Sequence, residues 1–266
     1  MQRPATRSHS PASRGASEVE QPGRKTLLVL MFHRVWPTGD ATPPDELATL
    51  FEDIAARRHC VMPGEPLRSD RLNVCLTFDD AYFDFHHTVL PLLRRYGLRA
   101  LLAVPSGLIP EVMHAPAAER LVAGGDASNP EYVTPALCTW RELQEIAESG
   151  LVEIAAHGRT HRRLDAADCD LEREIISDGA LLAQRLRVPV ENFVFPYGQF
   201  SPEALACVRA NYRHAFRIGK ASNTGWDEGV LYRIAGRGVG DPDAFFSSVA
   251  LRRWRWRRWW NRLRGR

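Results

Sequence analysis

Short apolar runs alternate with segments whose apolar residues recur every three or four positions. Thr26 to Phe32, Val74 to Phe78, Ala100 to Val104 and Leu151 to Ala156 are near-continuous apolar runs, the pattern of strands buried on both faces. Phe193 to Phe195 and His214 to Ile218 are read as two further strands. Between them, Asp45 to Arg58 places Leu47, Leu50, Phe51, Ile54 and Ala55 on one helical face. Thr88 to Tyr96 is predicted helical, with Pro91 near its start and Gly97 as its stop. Trp140 to Glu148 is a third helix, with Thr139 as N-cap and Gly150 as C-cap. Asp170 to Leu186 and Pro202 to Ala210 are two more. Pro110 to Pro135, rich in Pro, Gly, Ala and Asn, is read as a long surface excursion. Strand–helix alternation at this spacing predicts an α/β fold with a parallel sheet, closed or nearly closed into a barrel. In such a barrel, ligands gather where the strands end.

The candidate chemistry stands at those strand ends. Asp79 and Asp80 close the run Val74 to Phe78, and His157 and His161 follow the run that ends at Ala156. One carboxylate and two imidazoles hold a divalent cation, and the second carboxylate remains as a base. Three protein ligands with an open position is the hydrolytic arrangement. Adjacent residues on an extended strand point to opposite faces, so the chain must bend after Phe78 for both aspartates to serve one site. His33 ends the first predicted strand in the same way.

These motifs resemble those of the polysaccharide deacetylases, the NodB-type domain of carbohydrate esterase family 4. The family's Thr-Phe-Asp-Asp stands as Thr77-Phe78-Asp79-Asp80, its His-x-x-x-His as His157 and His161, and its Pro-Tyr-Gly as Pro196-Tyr197-Gly198. Phe32-His33-Arg34-Val35 resembles an early segment of the branch that includes poly-N-acetylglucosamine deacetylases. The resemblance spans about Lys25 to Val249. It implies a distorted (β/α) barrel of parallel strands with outer helices, and a metal-dependent hydrolase that removes N-acetyl groups from an amino-sugar glycan or its precursor.

By the same resemblance Asp80, His157 and His161 are metal ligands, for Zn²⁺ first and Co²⁺ or Ni²⁺ as alternatives. Asp79 is the general base, and the Tyr197 amide is a donor to the oxyanion. His33 is the acid that protonates the leaving amine, a role suited to histidine's ordinary pKa of about 6.5. Three departures stand out. No Leu-x-x-His segment follows Val230, Val194-Phe195 replaces the usual Arg before Pro-Tyr, and Ala81 replaces the usual Gly after the aspartates. Arg233 is the candidate substitute for the Arg that orients the base. The departures keep a second class open, a catalytically impaired protein that binds glycan or membrane. A related deformylase or amidase is a third.

Composition adds three points. The five cysteines are odd in number and lack any Cys-x-x-Cys pair, which argues against a disulfide framework or a thiolate metal site. Residues 1–24 are polar, rich in Ser, Pro and Gly, and carry no secretory pattern; they are read as disordered, and the protein is expected in the cytoplasm. Residues 25–250 are read as the deacetylase domain and 251–266 as a tail.

The tail holds eight arginines and no acid. With the whole chain at +3, the remainder carries −5. Trp256, Trp259, Trp260 and Leu263 share one helical face. Three readings stand: a peripheral anchor on an anionic membrane surface at the inner face, binding of an anionic glycan, or packing of the Trp face on the barrel. Charge alone also permits nucleic acid, but nothing else points there, and none is expected.

Overall fold

The computed structural model describes residues 25–36, 41–123, 136–236 and 238–264. The segment expected to be disordered, 1–24, and the distal part of the Pro110–Pro135 excursion lie outside the described residues.

The predicted runs become strands β1 (Leu27–Phe32), β3 (Asn73–Phe78), β4 (Ala100–Val104), β5 (Val152–Ala156), β6 (Asn192–Val194) and β7 (His214–Ile218). Two strands were not anticipated: the two-residue β2 (His59–Cys60) and β8 (Leu231–Ala235). Every ladder is parallel, and β1 pairs with both β3 and β8. The sheet therefore closes into a seven-stranded barrel, with β2 added beside the start of β3.

Closure divides the apolar residues into two layers. Leu27, Val29, Cys75, Leu101, Ala155 and Phe216 belong to a cluster filling the inside, plugged by Val61 and Trp226. Their neighbours Leu28, Leu30, Val74, Leu76, Leu102 and Ile154 belong to a second cluster shared with the surrounding helices. A two-residue period on a closed sheet produces this division.

Helices α1 (Pro44–Arg57), α2 (Leu90–Tyr96), α3 (Ala117–Val122), α4 (Trp140–Glu148), α5 (Asp178–Leu186) and α6 (Pro202–Asn211) lie between strands, and α7 (Pro242–Phe245) and α8 (Ser248–Leu263) follow β8. α4 starts where predicted. Thr139 accepts from the Glu142 amide and the Glu142 side chain accepts from the Thr139 amide, a reciprocal cap.

Three details differ from the periodicity. On α1, Ala55 is exposed and Asp53 is buried in its place, held by Arg58 at 3.0 Å. The helices expected from Thr88 and Asp170 begin in wider π-type turns, Phe85–Val89 and Glu172–Ser177. The helix end at Glu148 is capped by Ser149, with Gly150 one residue beyond at φ +71°. All five cysteines are free.

The expected boundary at residue 250 falls inside α8. This helix docks through Ala250, Trp254 and Arg258, so the reading in which the Trp256/Trp259/Trp260 face packs on the barrel is corrected. A single different tryptophan, Trp254, takes that role, because the inward face is set by the Ser222 amide, which donates to the Trp254 carbonyl at 3.3 Å, and by the ion pair of Arg258 with Glu228.

Candidate active site

The inward positions of the barrel continue past its apolar filling into a polar mouth. Beyond Val29 on β1 come Met31 and then His33; beyond Cys75 on β3 come Thr77 and Asp79; beyond Ala155 comes His157; beyond Leu231 comes Arg233. Strand parity thus delivers four of the seven candidate residues to one place. Asp80 has the opposite parity. It reaches the mouth because Asp80 and Ala81 both adopt left-handed backbone, φ +70° and +55°. Each such L-residue costs about 1–2 kcal/mol. The turn is held by the Asp79 amide donating to the Phe32 carbonyl at 2.9 Å and the Cys138 amide donating to the Ala81 carbonyl at 2.8 Å.

Of the six non-glycine residues with positive φ among those described, four are at the site: Asp80, Ala81, His161 and Tyr197. Backbone held in sparsely populated regions gathers at functional sites.

Asp79 and Arg233 form a buried bidentate pair. The two guanidinium Nη atoms donate to Oδ1 and Oδ2 at 2.6 and 2.8 Å. Nη1 also lies 3.3 Å from Thr77 Oγ1, which itself donates to the Leu30 carbonyl. Burial pushes the Asp79 carboxyl up, but Arg233, His157 and His33 outweigh it and hold it well below the usual carboxylate range. His33 is exposed at the rim, with Nε2 3.6 Å from Asp79 Oδ2.

On the other side, His157 Nε2 and His161 Nε2 approach the same Asp80 oxygen at 3.5 and 3.2 Å. That oxygen is buried and has no hydrogen-bond partner among the described residues. The ligand atoms of Asp80, His157 and His161 all lie within 4.8 Å of one another. The His157 Nδ1–H donates to the Val194 carbonyl at 2.7 Å, which turns Nε2 toward the site; burial pushes its pKa down, but Asp80 and Asp79 outweigh that and raise it. Burial and the neighbouring His157 lower the His161 pKa to about 4, keeping that ring neutral at neutral pH. Three convergent acceptors, one of them an orphaned buried oxygen, are the donor set a divalent cation satisfies.

Tyr197 sits at φ +56° in the Pro196–Gly198 turn, with its ring 4.9 Å from the ring of His161. Its side chain is partly exposed.

Two positioning acids were not anticipated. Glu174, in the π-type turn before α5, and Asp178, the first residue of α5, stand four residues apart and hold the His157–His161 loop. Asp178 accepts from the His157 amide at 3.1 Å and from the Ser106 amide at 3.0 Å. Glu174 accepts from the Thr160 amide at 2.9 Å and the Thr160 hydroxyl at 2.7 Å. Burial pushes the Asp178 carboxyl up to about 6 against these hydrogen bonds. No local signal singled them out, since the segment Asp170 to Asp178 holds four acids and only two of them, Glu174 and Asp178, are buried.

Comparison with known proteins agrees with this geometry. A family model described as polysaccharide deacetylase matches residues 68–214. The poly-beta-1,6-N-acetyl-D-glucosamine N-deacetylase of Escherichia coli K12 is 29% identical over 175 residues, 55% of this chain and 24% of its own length. The chain therefore spans about a quarter of the length of that curated relative. IcaB from Ammonifex degensii superposes with a TM-score of 0.65 at 18% identity, over 85% of this chain and 97% of its own. The Streptococcus pyogenes deacetylase PplD, solved with acetate, gives 0.65 at 18% identity, over 80% and 93%. The two structures show a shared fold. With more than half of its residues inside the family match and the motif residues gathered in one barrel mouth, the chain belongs to the polysaccharide deacetylase family.

Proposed function

We propose that this protein hydrolyses the N-acetyl group of N-acetylglucosamine units in a glycan, releasing acetate and leaving a free amine. The observation that carries this reading is the division of one buried mouth into a carboxylate paired with arginine and a carboxylate shared by two imidazoles. The relative named above acts, by its name, on poly-beta-1,6-N-acetyl-D-glucosamine, so a β-1,6-linked polymer of that sugar is the first substrate to test.

Asp80, His157 and His161 would hold the divalent metal, with Zn²⁺ best suited to two imidazoles and one carboxylate. When bound, such an ion polarises the acetyl carbonyl and makes water nucleophilic near neutral pH. Asp79, ionised under the hold of Arg233, accepts the proton of the attacking water. Arg233 restricts Asp79 to one orientation, the task assigned in the resemblance to an arginine that motif three here lacks. The Tyr197 amide donates to the oxyanion, and the strained turn fixes where that amide points. His33, on the exposed rim beside Asp79, gives a proton to the departing amine. The impaired-binder alternative rested on two missing residues, and Arg233 and His33 supply counterparts for both.

The test is acetate release from N-acetylglucosamine oligomers by protein of known metal content, with formylated analogues as a second arm. Acetate release with a bell-shaped pH dependence, whose basic limb disappears in His33→Ala at unchanged metal content, is the expected result. Absence of acetate from every N-acetylated oligomer in metal-loaded protein would overturn the reading.

A further inference from the structure

Among the described residues nine large hydrophobic side chains are exposed, and five of them lie on α8. Val249, Trp256 and Leu263 recur at seven-residue intervals, with Trp259 and Trp260 between, forming one stripe. Trp256, Trp259 and Leu263 are 61, 55 and 60% exposed. The opposite face holds the stripe outward. Arg258 donates to both Glu228 oxygens at 3.0 and 2.8 Å and to Thr224 Oγ1 at 2.8 Å. Asn261 donates to the Gly219 carbonyl at 2.9 Å. Turning the tryptophans inward would break a buried ion pair.

The surroundings of the stripe specify its partner. Residues 251–266 carry eight arginines and no acid, on a chain whose remainder is net acidic. Beside the stripe a cleft of about 190 Å³ is lined by Arg255, Arg258, Arg262, Trp259, Ser222 and Thr224; Arg258 and Arg262 pair with Glu228 there, and Arg255 is the arginine of the cleft placed next to the indole of the stripe. The indoles stand nearly perpendicular, Trp256 to Trp260 at 72° and Trp259 to Trp260 at 81°, with centroids 5.4 Å apart. They therefore form no continuous flat platform for successive sugar rings. A deacetylated glycan is cationic and would be repelled by the arginines. No described helix, α8 included, is long and apolar enough to cross a membrane.

We infer that α8 docks the protein on an anionic phospholipid surface. The tryptophan stripe enters the boundary between headgroups and acyl chains, and the arginines pair with lipid phosphate. The inference is independent of the catalytic reading, since no candidate catalytic residue lies on α8.

Sedimentation of the full chain with phosphatidylglycerol vesicles and with phosphatidylcholine vesicles tests it. Binding should favour phosphatidylglycerol by about tenfold or more and weaken as salt rises. The combined variant Trp256→Ser, Trp259→Ser, Trp260→Ser should lose about tenfold or more of that binding while remaining folded by circular dichroism, with a melting temperature lowered only through the covered part of Trp260, which is 36% exposed. Trp256→Ser alone, at the most exposed of the three, should lose a smaller part and gives a reading that does not depend on all three substitutions folding. Equal vesicle binding by wild type and both variants would overturn the inference. So would absence of phosphatidylglycerol preference, or retention on duplex DNA or on N-acetylglucosamine oligomers with none on vesicles.

Discussion

Asp79 and Asp80 are consecutive in the chain and occupy two different chemical regions. Asp79 faces the β1–β8 side of the mouth, where Arg233 grips both of its oxygens. Asp80 faces the β5 side, where two imidazole nitrogens converge on an oxygen that has no hydrogen-bond partner among the described residues. A carboxylate saturated by a guanidinium is a poor ligand for a cation but a permanently charged proton acceptor. Burial pushes the Asp80 carboxyl up, but His157 and His161 outweigh it and hold it low as well; what makes Asp80 the better ligand is its buried oxygen left without a hydrogen bond among the described residues. One left-handed turn at Asp80 and Ala81 separates the two roles. The two sides also differ in how they are recognised. Asp80, His157 and His161 fall inside the family match, whereas His33 and Arg233 fall outside it.

The largest effect expected comes from breaking the imidazole side. His157→Ala should remove bound metal and reduce acetate release by about 10³-fold or more. Metal content measured by elemental analysis checks it, and unchanged occupancy would refute the ligand set. Breaking the arginine side at its carboxylate should act differently: Asp79→Asn should retain metal and slow turnover by about 10²–10⁴-fold. Loss of metal in that variant would mean that the two aspartates exchange roles.

Arg233→Met sharpens the same contrast through pH. Arg233 lowers the Asp79 pKa, so its removal raises that pKa and moves the acid limb of the rate profile to higher pH. The stability effect has a matching sign. A carboxyl depressed in the folded state stabilises above its unfolded pKa, and that contribution is lost as pH falls through the folded value. Without Arg233 it should be lost at a higher pH, and the protein should melt lower at neutral pH because a buried carboxylate is left unpaired. Rate profiles and melts across pH measure both, and an unmoved acid limb would show that Arg233 does not control Asp79.

The smallest effect concerns the turn that separates the two sides. An ordinary buried Ala→Gly change costs about 1 kcal/mol. At Ala81, φ +55°, relief of left-handed strain offsets that loss. Ala81→Gly should therefore leave the unfolding midpoint unchanged or raised, and a loss of the ordinary size would refute the account of the strain.

The apolar runs were legible because a strand buried on both faces leaves a local composition signal, and six of the eight strands followed from it. β8, Leu231-Tyr232-Arg233-Ile234-Ala235, was missed although it is no more polar than β7, which also carries an arginine; what the sequence hid was that Arg233 faces inward. An arginine inside a barrel is tolerated only where a distant carboxylate neutralises it, and Asp79 lies 154 residues away. The same reasoning covers Asp178 and Glu174, whose partners are backbone amides of another loop. The tail's helical period was likewise readable, but which tryptophan packs was not. Burial of Trp254 in place of Trp256 follows from the Arg258–Glu228 pair, and a periodic pattern carries no information about the partner it meets. By itself the sequence determined the strand–helix alternation, the motif residues and the basic helix, all encoded within a few neighbouring positions. Only the tertiary structure decided which carboxylate meets the arginine, which meets the histidines, and which face of α8 meets water. Those outcomes depend on barrel closure and on one left-handed turn, which bring together residues that share no local signal.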